Sequence, residues 1–377
     1  MFKNQWYAVE FGHRVGTGPH GVRALGQDIV LYRAGAGVVA QSDLCVHRGA
    51  KLSLGRMTDG CIECPYHGWR YDDAGHCVKI PANRSDLPVP KKARIDTYPA
   101  MERYGYIWVF LGDAAEADRP DVPTLPYLDV VADARISGYR AVTGEFHWNA
   151  NWERVAENAV DIAHTPFVHS TSFGNRDKPE IEDFEITGLP HAAVATVHLE
   201  PPPPGGIWSV LMKKKERPPV KTSTGLFFPN MSMLEVNLSI GQMLIFTAAV
   251  PVDENTTISK YTMLRSFFTG KWADRDSQRR TIKIFLEDQP TVESQRPGLV
   301  PTDLGAELHA KSDSIQLAFR RWRQGEIEAG AKLVPAGEGT SVGLIPSPAR
   351  RSDPDQQWVF PERASGCETP HAVGHTE

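Results

Sequence analysis

The sequence predicts an α+β protein of two domains, a small all-β domain followed by a larger one that mixes strands and helices. Three observations predict it. The chain has 377 residues, more than one ordinary core accommodates. Its first ~115 residues carry short apolar runs bounded by Gly and Asp, as in a small sandwich. Beyond residue 128, stretches with helical periodicity flank a long region rich in β-formers.

In order along the chain, Asp28–Tyr32 and Gly37–Ala40 read as strands. Residues 71–76 read as the turn of a hairpin, and Gly105–Leu111 as the last strand of the first domain, which spans 1–115. A linker with Pro120, Pro123 and Pro126 follows. The second domain spans 128–345. Trp152–Ala163 has few helix breakers and reads as a helix. Thr165 precedes Pro166, which disfavours helical backbone at Thr165, so a break is expected between His164 and His169. Residues 193–265 read as strands, including Ile207–Leu211 and Met243–Thr247, with a turn at 253–255. Lys271–Glu293 and Ala310–Glu328 read as helices, and 346–377 as a polar tail.

Hydrophobic residues make up 41% and charged residues 23%, the balance of a globular protein in water. The net charge of −5 gives no nucleic-acid-binding footprint. No apolar run approaches the ~18 residues of a membrane span. The first residues lack the basic-then-apolar plan of a secretory signal, so a cytoplasmic protein is expected.

Five cysteines are present, and four fall between residues 45 and 77. An odd, clustered set in a reducing compartment favours metal binding over disulfides. Cys45-Val46-His47 and Cys64-Pro65-Tyr66-His67 place two thiolates and two imidazoles on two short loops. That donor set suits either one zinc or a 2Fe–2S cluster with two Cys on one iron and two His on the other. C-x-H is an unusual zinc spacing, and a Gly follows each His closely, at Gly49 and Gly68, where backbone must approach a bulky group. Cys61 reads as a strand residue, and Cys77 and Cys367 as ordinary small side chains.

The stretches Cys45-Val46-His47-Arg48-Gly49-Ala50 and Cys64-Pro65-Tyr66-His67-Gly68-Trp69 resemble the Rieske ring-hydroxylating oxygenases. So does Asn158-x-x-Asp161-x-x-His164-x4-His169, which matches the mononuclear-iron motif of the same family. The resemblance runs over about residues 4 to 330. It resembles the smaller branch without a β subunit, which includes the vanillate and dicamba demethylases and the saxitoxin-pathway oxygenases. It implies an N-terminal Rieske domain and a C-terminal helix-grip domain with an antiparallel sheet.

The resemblance also implies cofactors and roles. Cys45, His47, Cys64 and His67 would hold the 2Fe–2S cluster. His164, His169 and a distal carboxylate would hold Fe(II) as a facial triad with positions open for dioxygen and substrate. Asp288 is the expected carboxylate, Glu287 its neighbouring rival and Glu293 a weaker one. Asp161 would bridge a cluster His of one subunit to an iron His of the next within a homotrimer, and Asn158 would tune access to the iron. NAD(P)H electrons would arrive through a separate reductase, with or without a ferredoxin, and dioxygen would hydroxylate or demethylate a small aromatic or heterocyclic substrate. Two other readings stand beside this one: a cis-dihydroxylating dioxygenase, and a Rieske electron carrier fused to a binding domain. Phe227, Phe228, Met231 and Met233 are candidate pocket residues, with plain core the competing and commoner role of each, and Lys213, Lys214, Lys215 and Arg217 are a candidate anion contact against the commoner reading of a solvated loop.

Overall fold

Short apolar segments separated by turn residues make many small strands in the N-terminal third. The computed structural model, which describes residues 2–127, 138–182, 184, 186–189, 191–201 and 218–331, contains eleven there. They are β1 (Gln5–Phe11), β2 (His20–Ala24), β3 (Gln27–Ala34), β4 (Gly37–Ser42), β5 (Arg56–Thr58), β6 (Cys61–Glu63), β7 (Arg70–Tyr71), β8 (Cys77–Lys79), β9 (Thr97–Tyr98), β10 (Ala100–Arg103) and β11 (Tyr106–Leu111). They form three sheets, ordered β1-β11-β10, β2-β3-β4-β9 and β5-β6-β7-β8. The β7–β8 hairpin closes where the sequence places its turn, pairing Tyr71 with Cys77.

The second half is one large sheet with helices. Its elements are β12 (Arg140–Trp148), α1 (Trp152–Val160), α2 (Thr165–Val168), β13 (Ile186–Leu189), β14 (Ala192–Leu199), β15 (Val220–Phe227), β16 (Met231–Leu238), β17 (Gly241–Pro251), β18 (Thr257–Arg265), α3 (Asp274–Ser294) and α4 (Ser314–Glu328). The seven strands run in the order β12-β18-β17-β16-β15-β14-β13, each antiparallel to its neighbours. The expected strand at Ile207–Leu211, the basic run Lys213 to Arg217, the tail 346–377 and Cys367 lie outside the described residues.

Because side chains alternate across a strand, this sheet has two working faces. One face carries Met231, Met233, Leu244, Phe246, Ala248 and Leu264, which share a buried core with Tyr7, Trp108 and Phe110 of the N-terminal sheet. Polar contacts cross the same junction. The Lys260 Nζ donates to both Glu10 carboxylate oxygens at 3.0 Å, and Tyr106 Oη lies 2.8 Å from Thr262 Oγ1. The opposite face looks toward α1 and α3.

The helix predicted over Trp152–Ala163 ends three residues early, at Val160. Asp161 takes extended backbone, and its Oδ1 accepts the Ala163 N–H at 2.8 Å. This local turn competes with helical hydrogen bonding and stops the helix. Pro166 then sits in the first turn of α2 rather than breaking a helix, since its missing N–H would have no partner there anyway.

Candidate metal centres

The two Cys-His loops have the same frame despite their different spacings. In the first, between β4 and β5, the Gly49 N–H donates to Cys45 O at 2.8 Å and the Cys45 N–H donates to Ala50 O at 3.0 Å. In the second, between β6 and β7, Gly68 N–H reaches Cys64 O at 3.0 Å and Cys64 N–H reaches Trp69 O at 2.8 Å. Gly49 and Gly68 both adopt left-handed backbone, at φ 72° and 70°, which a side chain would strain. The histidine is the third residue of one loop and the fourth of the other, so C-x-H and C-x-x-H present donors from equivalent turns.

The loops face each other. The His47 and His67 rings stand 4.5 Å apart in an edge-on arrangement, and Trp69 stacks on His47 at 4.6 Å. Cys45 and Cys64 are buried, whereas His67 and the adjacent Tyr66 are exposed. Burial pushes the Cys45 thiol up to about 11, so a thiolate there needs the positive charge of a metal. His47 Nδ1 is buried without a hydrogen-bond partner among the described residues. An orphaned imidazole nitrogen beside two buried thiols fits an asymmetric cluster with a sulfur-bound inner end and an imidazole-bound outer edge. Cys61 opens β6 and Cys77 opens β8, the latter in the domain core.

The second group forms around α2. His164 precedes this one-turn helix and His169 follows it, which turns two residues five apart toward the same point. Their Nε2 atoms lie 3.1 Å apart. Asp288, on α3, places Oδ1 3.4 Å from His164 Nε2 and 3.2 Å from His169 Nε2. Donors bonded at about 2.1 Å to one metal in adjacent positions stand about 3 Å from one another, so these three atoms fit one face of a coordination sphere. Asp288 Oδ1 has no hydrogen-bond partner among the described residues.

The surrounding charge also suits a cation. Burial alone disfavours a charged His164, but Asp161 and Asp288 outweigh it and raise the imidazole to about 9. Burial likewise opposes the Asp288 carboxylate, and the adjacent His164 and His169 imidazoles hold it below its usual range. Asp161 Oδ2 lies 3.5 Å from His164 Nδ1. Glu287 turns to the far edge of the other ring, 2.9 Å from His169 Nδ1. Glu293 points elsewhere, accepting from Asn149 N–H and Gln289 Nε2. The structure thus brings Asp288, rather than either glutamate, to the paired Nε2 atoms.

These groups open on a cavity of about 950 Å³ between the sheet and helices α1 and α3. Asn158, Asp161, His164, His169 and Asp288 all line it. The sheet contributes Ser232, Leu234, Val236, Met243, Ile245 and Thr247. Phe227, Phe228, Met231 and Met233 are not pocket residues. The first and last two belong to the core shared with the N-terminal sheet, and Phe228 packs on Phe319 and Trp322. On β16 the expectation chose the wrong parity, because neighbouring residues face opposite sides. The alternating Ser232, Leu234 and Val236 carried the available signal.

Residues 5–99 match the Rieske 2Fe-2S domain, and residues 148–329 match the vanillate O-demethylase oxygenase C-terminal domain. The methylxanthine N1-demethylase NdmA of Pseudomonas putida is 30% identical over 327 residues, covering 83% of this chain and 84% of that protein. The oxygenase component of dicamba O-demethylase from Stenotrophomonas maltophilia is 32% identical over 214 residues, 56% of this chain and 59% of that one. The structure of Pseudomonas putida CBB5 NdmA with caffeine superposes with a TM-score of 0.71 at 26% identity, covering 87% of this chain and 92% of that one. With both metal-binding folds matched in order, the chain belongs to the Rieske non-haem iron oxygenases, as an alpha subunit related to the methylxanthine, vanillate and dicamba demethylases.

Proposed function

We propose that this chain is the terminal oxygenase of a demethylating monooxygenase system acting on a small N- or O-methylated aromatic or heterocyclic molecule. The observation that carries this reading is the convergence of His164, His169 and Asp288 at the wall of a largely apolar cavity. The kinship with N- and O-demethylases favours methyl removal over ring dihydroxylation.

Cys45 and Cys64 would hold the inner iron of the cluster and His47 and His67 the outer one. His164, His169 and Asp288 would hold the mononuclear Fe(II). When bound, these groups store electrons from a reductase, with or without a ferredoxin, and provide the place where dioxygen is reduced. The balance is R–CH3 plus O2, two electrons and two protons, giving R–CH2OH and water. The hydroxymethyl group then leaves as formaldehyde, returning N–H or O–H to the substrate.

The protein's own residues prepare this reaction. Trp148, Leu234 and Ile245 on the cavity wall keep water from the reacting carbon. Asn158 lines the same cavity and would narrow access to the metal group. The exposed edge at His67 suits electron entry, and the chain would work as a head-to-tail homotrimer, so that one subunit's cluster serves its neighbour's iron. Asp161 supports that arrangement. Its carboxylate is part-exposed and only loosely engaged with His164, leaving it free to accept an imidazole N–H from the next subunit.

The test supplies the purified chain with a generic reductase, NADH and oxygen and presents a panel of N-methyl and O-methyl aromatics. Formaldehyde and demethylated product should form in equal amounts from at least one member. A cis-diol from an unmethylated arene, with no formaldehyde from any methylated compound, would replace this reading with dihydroxylation.

A further inference from the structure

We infer that Glu287 is a positioning residue for the mononuclear metal, clamping His169 so that its Nε2 faces the metal. The inference rests on the reading of His164, His169 and Asp288 as a metal site.

An imidazole binds a metal through its unprotonated nitrogen, and the other nitrogen then carries hydrogen and needs an acceptor. Glu287 supplies it, with Oε2 2.9 Å from His169 Nδ1. The other carboxylate oxygen is fully engaged. Oε1 accepts from Thr171 Oγ1 at 2.6 Å and Ser172 Oγ at 2.7 Å, with Lys283 Nζ at 3.4 Å. Glu287 is thereby tied to the segment that follows α2, and it cannot swing to the metal without abandoning three partners. Phe173 stacks on the His169 ring at 4.7 Å and fixes its plane.

Adjacent residues of α3 therefore grip opposite edges of one buried ring, Asp288 at Nε2 and Glu287 at Nδ1. The other imidazole is backed differently. His164 Nδ1 meets only Asp161, at 3.5 Å, and that carboxylate keeps acceptor capacity to spare. The two histidines divide the work: His169 is locked from within the chain and secures the metal, while His164 faces Asp161, the carboxylate proposed to bridge to the next subunit.

The experiment uses the full chain with its cluster loaded and the mononuclear metal removed by mild chelation. Cobalt(II) is titrated anaerobically and followed by its visible ligand-field absorption, which reports ligand geometry. Glu287→Ala should weaken cobalt affinity by about 10- to 100-fold and alter that absorption, with the cluster spectrum unchanged. Glu287→Gln, whose amide oxygen can still accept from Nδ1, should recover most of the affinity. If Glu287→Ala fails to fold, the Thr171→Val/Ser172→Ala pair decides, because it removes both hydroxyl donors from Oε1, leaving Lys283 there and Oε2 on His169; it should weaken affinity by about a few-fold. Glu287→Ala within twofold of the unmodified chain, Glu287→Gln as weak as Glu287→Ala, or an unaffected Thr171→Val/Ser172→Ala pair would each overturn the inference. Failure of the unmodified chain to bind cobalt would instead reject the underlying metal site.

Discussion

Asp161 and Asp288 occupy the same cavity but are asked for different things. Asp288 is buried, with one oxygen shared between two imidazole nitrogens, so its removal leaves a metal with two protein donors. Asp288→Ala should abolish mononuclear iron while leaving acid-labile sulfide unchanged, as elemental analysis can check. Asp161 meets the metal group only at the outer nitrogen of His164. Asp161→Asn should keep both metals and slow product formation by about 100-fold; full turnover would reject the proposed bridge. The Cys-His pairs were legible in the sequence because each sits within one short loop, where spacing fixes geometry. The choice of Asp288 over Glu287 was less so. Neighbouring residues on a helix point about 100° apart, and only the rotation of α3 against α2 decides which reaches the ring nitrogens. The role of Glu287 depends equally on Thr171 and Ser172, whose hydroxyls no motif marks.

At the level of elements, β16 shows how one strand serves two purposes. Leu234 faces the cavity and Met233 faces the N-terminal sheet. Leu234→Trp should fill substrate space, raising KM or switching substrate preference, with little change in Tm. Met233→Ala should do the opposite, costing about 2–5 kcal/mol in urea unfolding while leaving KM near its original value. A reversal of this pairing would mean that the strand register is wrong. Element type was largely legible: the strands β3, β4, β11 and β17 and the helices α3 and α4 lie where apolar periodicity puts them. What the pattern lacked was parity and termination. Parity on β16 is hidden because large apolar residues occur on both faces, Met231 and Met233 on one and Leu234 and Val236 on the other, and α1 ends where Asp161 satisfies a backbone N–H with its own side chain.

At the scale of the whole molecule, the N-terminal β1-β11-β10 sheet and the seven-stranded sheet meet in a junction where one core serves both. The buried Lys260–Glu10 pair lies in that junction, and removing Lys260 leaves Glu10 with His20 at 3.0 Å and Arg14 at 3.8 Å. Lys260→Met should therefore cost about 1–3 kcal/mol, measured by urea unfolding. Burial alone would raise the Glu10 carboxyl, but His20 and Lys260 outweigh it and hold it down at about 2, against an ordinary 4.5. A depressed carboxyl stabilises the fold above its unfolded value and loses that contribution as the pH falls through its folded one. Stability from this contact should thus decline between about pH 4.5 and pH 2, and Glu10→Gln should flatten that part of the curve. Among the described residues no helix is long and apolar enough to cross a membrane. The order of the two metal motifs was legible from the family resemblance their residues carry, whereas the shared core depends on contacts between residues more than two hundred positions apart, such as Ala8 with Asn230. The central claim is that one chain holds both a cluster and a separate iron, and the ratio of iron to acid-labile sulfide tests it most directly. Three irons to two sulfides per chain, falling to two and two in His164→Ala, is the result predicted; two irons to two sulfides in the intact, folded protein would contradict it.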